Sequence, residues 1–345
     1  MINAKRYTSG RIAVANLSAS IESLELRRIK HRTFEDELAL SKFLFLRGDL
    51  LGRIVDHDRA ELVAKKSIAF AHDTASTLYI RARLAERFHR FDEANAILDQ
   101  ALAAGHPKDE IDVEKAALQQ ATGRYREALV LRERLAKDNP SIQTLGALAS
   151  LLAEMDQCAA AESCYTAALD ADEGTSPIPC GQLLFEWGVS AMRRGGLDRA
   201  EEIFVELDAI LPQHVPGRGH RAEVALARRQ LDLAEALITP LLEISDDPEY
   251  RSTYAEILAA RGEAEAAASA AERAAAAYEL LLTQRPEAYA DHAAAFFMGV
   301  GNRPQLAVDL ASANRKLRDT SRSRALLERA LRNARQVSAV EEPAA

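Results

Sequence analysis

The chain has 345 residues, with 52 Asp and Glu against 44 Lys and Arg, for a net charge of −8 at pH 7. Hydrophobic residues make up 48% and aromatic ones 6%, with only 16 glycines and 11 prolines; this favours helix, and at this length two domains or a solenoid over one compact core. Cys158, Cys164 and Cys180 are odd in number and lack Cys-x-x-Cys spacing, which argues against a disulfide framework, and no window is apolar for long enough to span a membrane.

The first residues, MINAKRYTSGRIAVANLSAS, carry basic side chains but no apolar targeting core, so a cytoplasmic protein is expected. Within this N-terminal segment (1–40), residues 16 to 31 place Leu17, Ile21, Leu24 and Arg28 at helical spacing, as a capping helix would. TFEDE (33–37) then offers Thr33 as the N-cap of the next helix.

From there the chain repeats itself. GRYREALVLRERLAKDNP (123–140) has relatives in HRFDEANAILDQAL (89–102) and GGLDRAEEIFVELDAILP (195–212), and more distant ones elsewhere. Their matching alanines are Ala60, Ala94, Ala128, Ala161, Ala200, Ala234, Ala267 and Ala307, at intervals of 34, 34, 33, 39, 34, 33 and 40. Twelve places before each stands a small residue: Gly48, Ala82, Ala116, Ala149, Gly188, Ala222, Ala255 and Ala295. Small residues at a fixed phase let two helix backbones approach closely, and Pro140 and Pro212 stop the second helix of their units.

A period near 34 with these residues resembles the tetratricopeptide repeat family over residues 41 to 321. The resemblance implies an all-α, right-handed superhelix of about eight antiparallel helix pairs, at 41–74, 75–108, 109–141, 142–175, 181–214, 215–247, 248–281 and 288–321. The interval of 39 holds the turn-forming EGTSPIP (173–179), and the interval of 40 follows a second helix about two turns longer than its counterparts, halted at Pro286. A capping helix at 322–336 and a disordered tail at 337–345 are expected to close the chain. Contacts confined to neighbouring repeats predict an elongated shape.

No Gly-rich phosphate loop, nucleophile elbow, His-Glu-x-x-His or Rossmann fingerprint is present, so nothing nominates an enzyme. The resemblance instead implies a concave groove lined by the first helix of each pair. On that basis the groove receives Lys42, Phe45, Asp49 and Arg53 from the first repeat and Ser76, Tyr79, Arg83 and Arg87 from the second. The fifth supplies Gln182, Phe185, Val189 and Met192, and the later ones His220, Glu223, Glu256, His292 and Phe296. His220, Glu223, Glu256 and His292 are metal-ligand types, but such pairs are common on solvated helix faces, and neither metal nor cofactor is implied.

The cluster Lys42, Phe45, Arg53, Tyr79, Arg83 and Arg87 suits an acidic or carboxylate-bearing protein segment, since guanidinium forks bind carboxylates at two points and aromatics give rigid apolar surface. An ordinary charged helix face is the competing reading. The lysine and asparagines with which one subgroup of the family clamps a C-terminal carboxylate are absent: Phe45, Tyr79 and Val113 with Asp49, Arg83 and Ala117 stand there instead. Residues 303 to 335 hold nine Lys and Arg against three Asp and Glu, whereas 75 to 302 hold 22 against 37. The basic C-terminal helix is thus a second candidate surface, for an acidic partner or for self-association. Nucleic acid is disfavoured by the overall negative charge and the lack of stacking aromatics there. The reading is a non-catalytic protein-binding scaffold; a subunit of an enzyme complex and a peptide-sensing regulator are the alternatives.

Overall fold

The structure, a computed structural model, describes residues 6–27, 33–67 and 74–341, and among these there are helices and turns but no strand. Helix α1 (Gly10–Leu26) is followed by the pairs α2/α3 (Phe34–Leu51, Ile54–Ser67), α4/α5 (Ala75–Arg87, Phe91–Ala103), α6/α7 (Lys108–Ala121, Tyr125–Asp138) and α8/α9 (Ile142–Glu154, Cys158–Asp170). Then come α10/α11 (Pro177–Arg193, Leu197–Ile210) and α12/α13 (Val215–Ala227, Leu231–Ile238), with Pro240 separating α13 from the short α14 (Leu241–Ile244). The pairs α15/α16 (Pro248–Arg261, Ala264–Gln284) and α17/α18 (Pro286–Met298, Pro304–Leu317) lead to the last helix, α19 (Ser321–Glu341).

Each pair turns on one residue in the left-handed region: Gly52, His89, Gly123, Asp156, Gly195, Arg229, Gly262 and Asn302. Glycine fills half of these places at no steric cost, and Asp, Asn and His tolerate the region better than most residues. The second helix of each pair then presents its packing residue at a fixed distance: Ala94, Ala128, Ala161, Ala200, Ala234, Ala267 and Ala307 each follow their turn residue by five places, and none is more than 8% exposed.

Two expectations need correcting. In the first pair the residue five beyond Gly52 is His57, not Ala60; His57 is 1% exposed, and a Cβ on Gly48 would lie 2.6 Å from its Nε2. Gly48 is therefore at a tight crossing, but it makes room for a histidine. In the last pair Ala295 is exposed, whereas Ala293 and Ala294 are fully buried. The turn after α17 runs from Gly299 to Arg303, longer than the turns of the other pairs, and this shifts the phase by one residue.

The helix that begins the chain ends at Leu26, so Arg28 lies outside the described residues. Helix α19 runs on to Glu341, into the segment expected to be a disordered tail, of which 342–345 are not described.

The largest departure is in overall shape. Contacts are not confined to neighbouring pairs, because the superhelix returns on itself. Asp246 accepts hydrogen bonds from the Ile54 and Val55 backbone amides at 2.7 and 3.0 Å, and the Ser245 hydroxyl donates to the Gly52 carbonyl. Farther along, Arg285 at the end of α16 donates to Asp58 and Glu61 on α3 at 2.6 and 2.9 Å, and its guanidinium lies 3.4 Å from the centre of the Phe88 ring. Ile54, Phe88, Ala288 and Tyr289 form a buried cluster across this seam. The seam continues as His89 Nδ1 meets the Glu287 carbonyl at 2.9 Å and Arg318 donates to the Ala121 carbonyl at 3.2 Å. At the start of the chain, Tyr7 donates to Asp172 at 2.9 Å and the Thr8 amide to the Thr175 carbonyl at 2.8 Å, which ties the N-terminal segment to the middle of the array.

Candidate functional site

Closure deepens the concave surface into a half-open central cavity of about 920 Å³, lined by residues from the first helix of every pair together with Arg318 and Arg322. A smaller recess of about 370 Å³ adjoins it, between Phe45, Arg83, Glu86, Arg87 and Arg318. Both volumes fall in the range of ligand pockets.

Of the residues singled out in the sequence, Asp49, Arg83, Arg87, Gln182, Phe185, Met192, His220 and His292 reach the main cavity, and Phe45 lines the recess. Arg83 lies over the Phe45 ring at 4.9 Å and 3.4 Å from Glu114, so its charge is already compensated. Arg87 has a looser partner in Asp49 at 3.9 Å. Phe185 stacks on His220 at 5.6 Å between centroids and tilts against His214 at 5.0 Å, which gives the cavity an aromatic wall.

The others lie elsewhere. Lys42 is exposed away from the cavity, and Arg53 pairs with Asp56 at 3.3 Å. Tyr79 is held by a 2.6 Å hydrogen bond to Glu114 and a stack on His106. Val189 and Phe296 are core residues at 4% and 2% exposure, Phe296 packing on Tyr278 and Phe297. Phe296 follows the exposed Ala295, and the one-residue shift of phase in the last pair turns it into the core.

The metal-ligand types do not converge. His220 Nδ1 and Glu223 are 2.8 Å apart, while His292 turns to Glu249 at 3.3 Å. Among the described residues no group of three or more His, Cys, Asp or Glu side chains is arranged to hold a metal ion.

Charge is divided within the cavity. Asp247, Glu249, Asp291 and His292 form one cluster. The Glu249 carboxylate, burial and then Asp291 act on His292, and the carboxylates prevail, raising it to about 10. Burial works against the charge on Glu249, but His292 overrides it and holds the carboxyl at about 2. Burial and the neighbouring Glu249 push Asp247 up to about 6. His214, 1% exposed, is lowered to about 4 by burial and stays neutral.

A second cluster, Arg193, Arg318 and Arg322, was missed in the sequence. The signal for Arg318 and Arg322 was present as the basic segment 303–335, but that segment reads as a solvated cap unless the superhelix closes. Closure places these two arginines beside Arg193, the last residue of α10.

Eight antiparallel pairs with a period near 34 and small residues at the crossings decide the architecture. The fold is a tetratricopeptide-repeat array. No protein-family model matches the sequence, and no curated protein matches it significantly. Among solved structures, the chain resembles the APC/C hetero-tetramer Cut9–Hcn1 at 15% identity over 90% of its length, with a TM-score of 0.52, and spans 58% of that chain. It also resembles a tetratricopeptide repeat protein from Parabacteroides merdae at 20% identity, covering 70% of this chain and 91% of that one, with a TM-score of 0.45. The likeness to Cut9–Hcn1 shows the fold alone. Among the described residues, no helix is long and apolar enough to cross a membrane.

Proposed function

We propose that this repeat array is a non-catalytic binding scaffold that holds a segment of a partner protein in its central cavity. The supporting observation is the cavity itself: every helix pair contributes to its wall, and the wall combines aromatic surface (Phe185, Tyr250, Tyr289) with fixed charges of both signs. Aromatic and arginine side chains in partly desolvated recesses carry most of the energy in protein recognition. The charged groups cluster at separate places, so a partner segment would be oriented as well as held.

Photo-cross-linking in an extract of the native host tests this reading. A photoreactive residue replacing Met192, on the cavity wall, should capture a defined protein, and one replacing Val130, which is 67% exposed on the outer surface, should not. Equal capture from both positions, or capture from Val130 alone, would remove the cavity as the working surface.

A further inference from the structure

Many arginines of this protein are matched by carboxylates. Arg47 forms a two-point contact with Asp56 at 2.7 and 2.8 Å, Arg221 engages Glu201 and Asp208, and Arg285 engages Asp58 and Glu61. Arg218 and Arg251, half-buried outside the cavity, have no such partner among the described residues, and of the cavity arginines two lack one as well. Among the described residues, neither Arg193 nor Arg322 has a hydrogen bond or a carboxylate within 4 Å, although both face the same cavity as Arg318. Arg318 is partly satisfied by Asp291 at 3.3 Å and by the Ala121 carbonyl.

The three guanidinium groups also repel one another. The surrounding protein, then the charge of Arg322, with Arg318 adding to it, pulls Arg193 down to about 10 although its side chain is exposed to the cavity; burial and Arg322 lower Arg318 against Asp291, and Glu154 offsets both. Arg322 carries a further penalty. It is the second residue of α19, where the positive end of the helix dipole disfavours a cation. The other arginine of that turn, Arg324, is neutralised by Asp319 at 2.9 Å, but Arg322 is not. Three cations thus line one cavity, and Arg193 and Arg322, both exposed to it and without a carboxylate within 4 Å among the described residues, can meet an anion that enters.

We propose that Arg193, Arg318 and Arg322 form an oxyanion-binding site, which takes a carboxylate or phosphate group of whatever the cavity holds. The inference rests on the cavity being a ligand chamber and adds the chemical class of the group recognised. Guanidinium groups suit this task because their planar forks donate two parallel hydrogen bonds to a carboxylate or phosphate. The site draws on α10, on the turn before α19 and on α19 itself, so it exists only in the closed form. It also lies apart from Arg83 and Arg87, whose charges Glu114 and Asp49 already share.

Titration calorimetry of the purified full-length chain, in a buffer free of phosphate and carboxylate, tests the site with two probes, inorganic phosphate and succinate. At least one should bind the parent protein. Tighter phosphate binding identifies a phosphate ester as the natural group, and tighter succinate binding identifies an acidic peptide segment. Affinity should fall about tenfold or more in Arg193→Gln and in Arg322→Gln, the effect of losing one charge-assisted fork contact, and should persist in Arg329→Gln on the exposed far side of α19. Arg322→Gln should also melt no lower than the parent without ligand, because it removes an unmatched cation. If a glutamine variant fails to fold, Arg322→Lys decides the matter: it keeps the charge, loses the fork and should bind with intermediate affinity. Failure of both probes to bind the parent, or binding unchanged in Arg193→Gln and Arg322→Gln, would overturn the proposal. The result is independent of partner capture: anion binding without cross-links at Met192 keeps the oxyanion site and removes the protein partner, and cross-links without anion binding do the reverse.

Discussion

Gly188 shows how one residue fixes a helix crossing. It lies in α10, and a Cβ there would sit 2.5 Å from a ring carbon of Phe204, itself 1% exposed in the core. Gly188→Leu should therefore destabilise the fold by about 1–3 kcal/mol, the usual cost of overpacking, as read by urea or thermal unfolding. A variant that melts like the parent would show that the crossing has room to spare. His292 offers a different test, through pH. In the unfolded chain a histidine titrates near 6.5, and in the fold Glu249 and Asp291 raise it to about 10. Its ion pairs thus contribute fully below about pH 6.5 and progressively less as pH rises towards 10. His292 is 43% exposed, which limits the contribution to roughly 1 kcal/mol or less. The melting difference between the parent and His292→Gln should be largest near pH 6 and shrink towards pH 10; a difference independent of pH would detach His292 from these carboxylates. At this scale the sequence shows small residues well and registers poorly. Gly188 and seven alanines could be found from spacing alone, whereas His57 and Ala294 depend on how many residues each turn uses, which composition does not encode.

Helices α3 and α16 carry the seam. The length of α16 was legible as an alanine-rich run halted at Pro286, but its destination was not, because Arg285, Asp58 and Glu61 are far apart in sequence and unremarkable singly. Burial opposes the charge on Glu61, yet Arg90 and Arg285 override it and bring its carboxyl down to about 2. Removing Arg285 leaves a 9%-exposed Glu61 with fewer partners and Phe88 without the cation over its ring. Arg285→Ala should cost about 1.5–3 kcal/mol, the range for hydrogen bonds to charged groups. Hydrogen exchange should speed up at the start of α3 and the end of α16 and leave α10 and α11 unchanged; uniform acceleration would mean that the seam is not a local structure. The same seam explains the basic C-terminal segment. Read alone, α19 is an amphipathic cap with arginines facing solvent; packing against α17 and α18 sets the exposed Arg322 on the cavity wall, whereas Arg329 and Arg332 lie outside the cavity.

For the whole molecule, a linear array of repeats gains stability one neighbour at a time, and its ends need not communicate. Here the turns of the superhelix touch, so the early and late pairs share a seam and the groove becomes a chamber. The class of fold was legible because a period of about 34 repeats eight times; the closure was not, since it depends on small rotations that add up over many helices. The chamber depends on that closure, which brings Arg193 and Arg322 to one cavity. Small-angle X-ray scattering of the monodisperse full-length chain tests it most directly. A closed array of 345 residues should give a radius of gyration near that of a compact chain, about 20 Å, with a single-peaked distance distribution. A radius about half as large again, with a distribution trailing to long distances, would describe an open, extended solenoid. That result would contradict both the chamber and the arginine site within it.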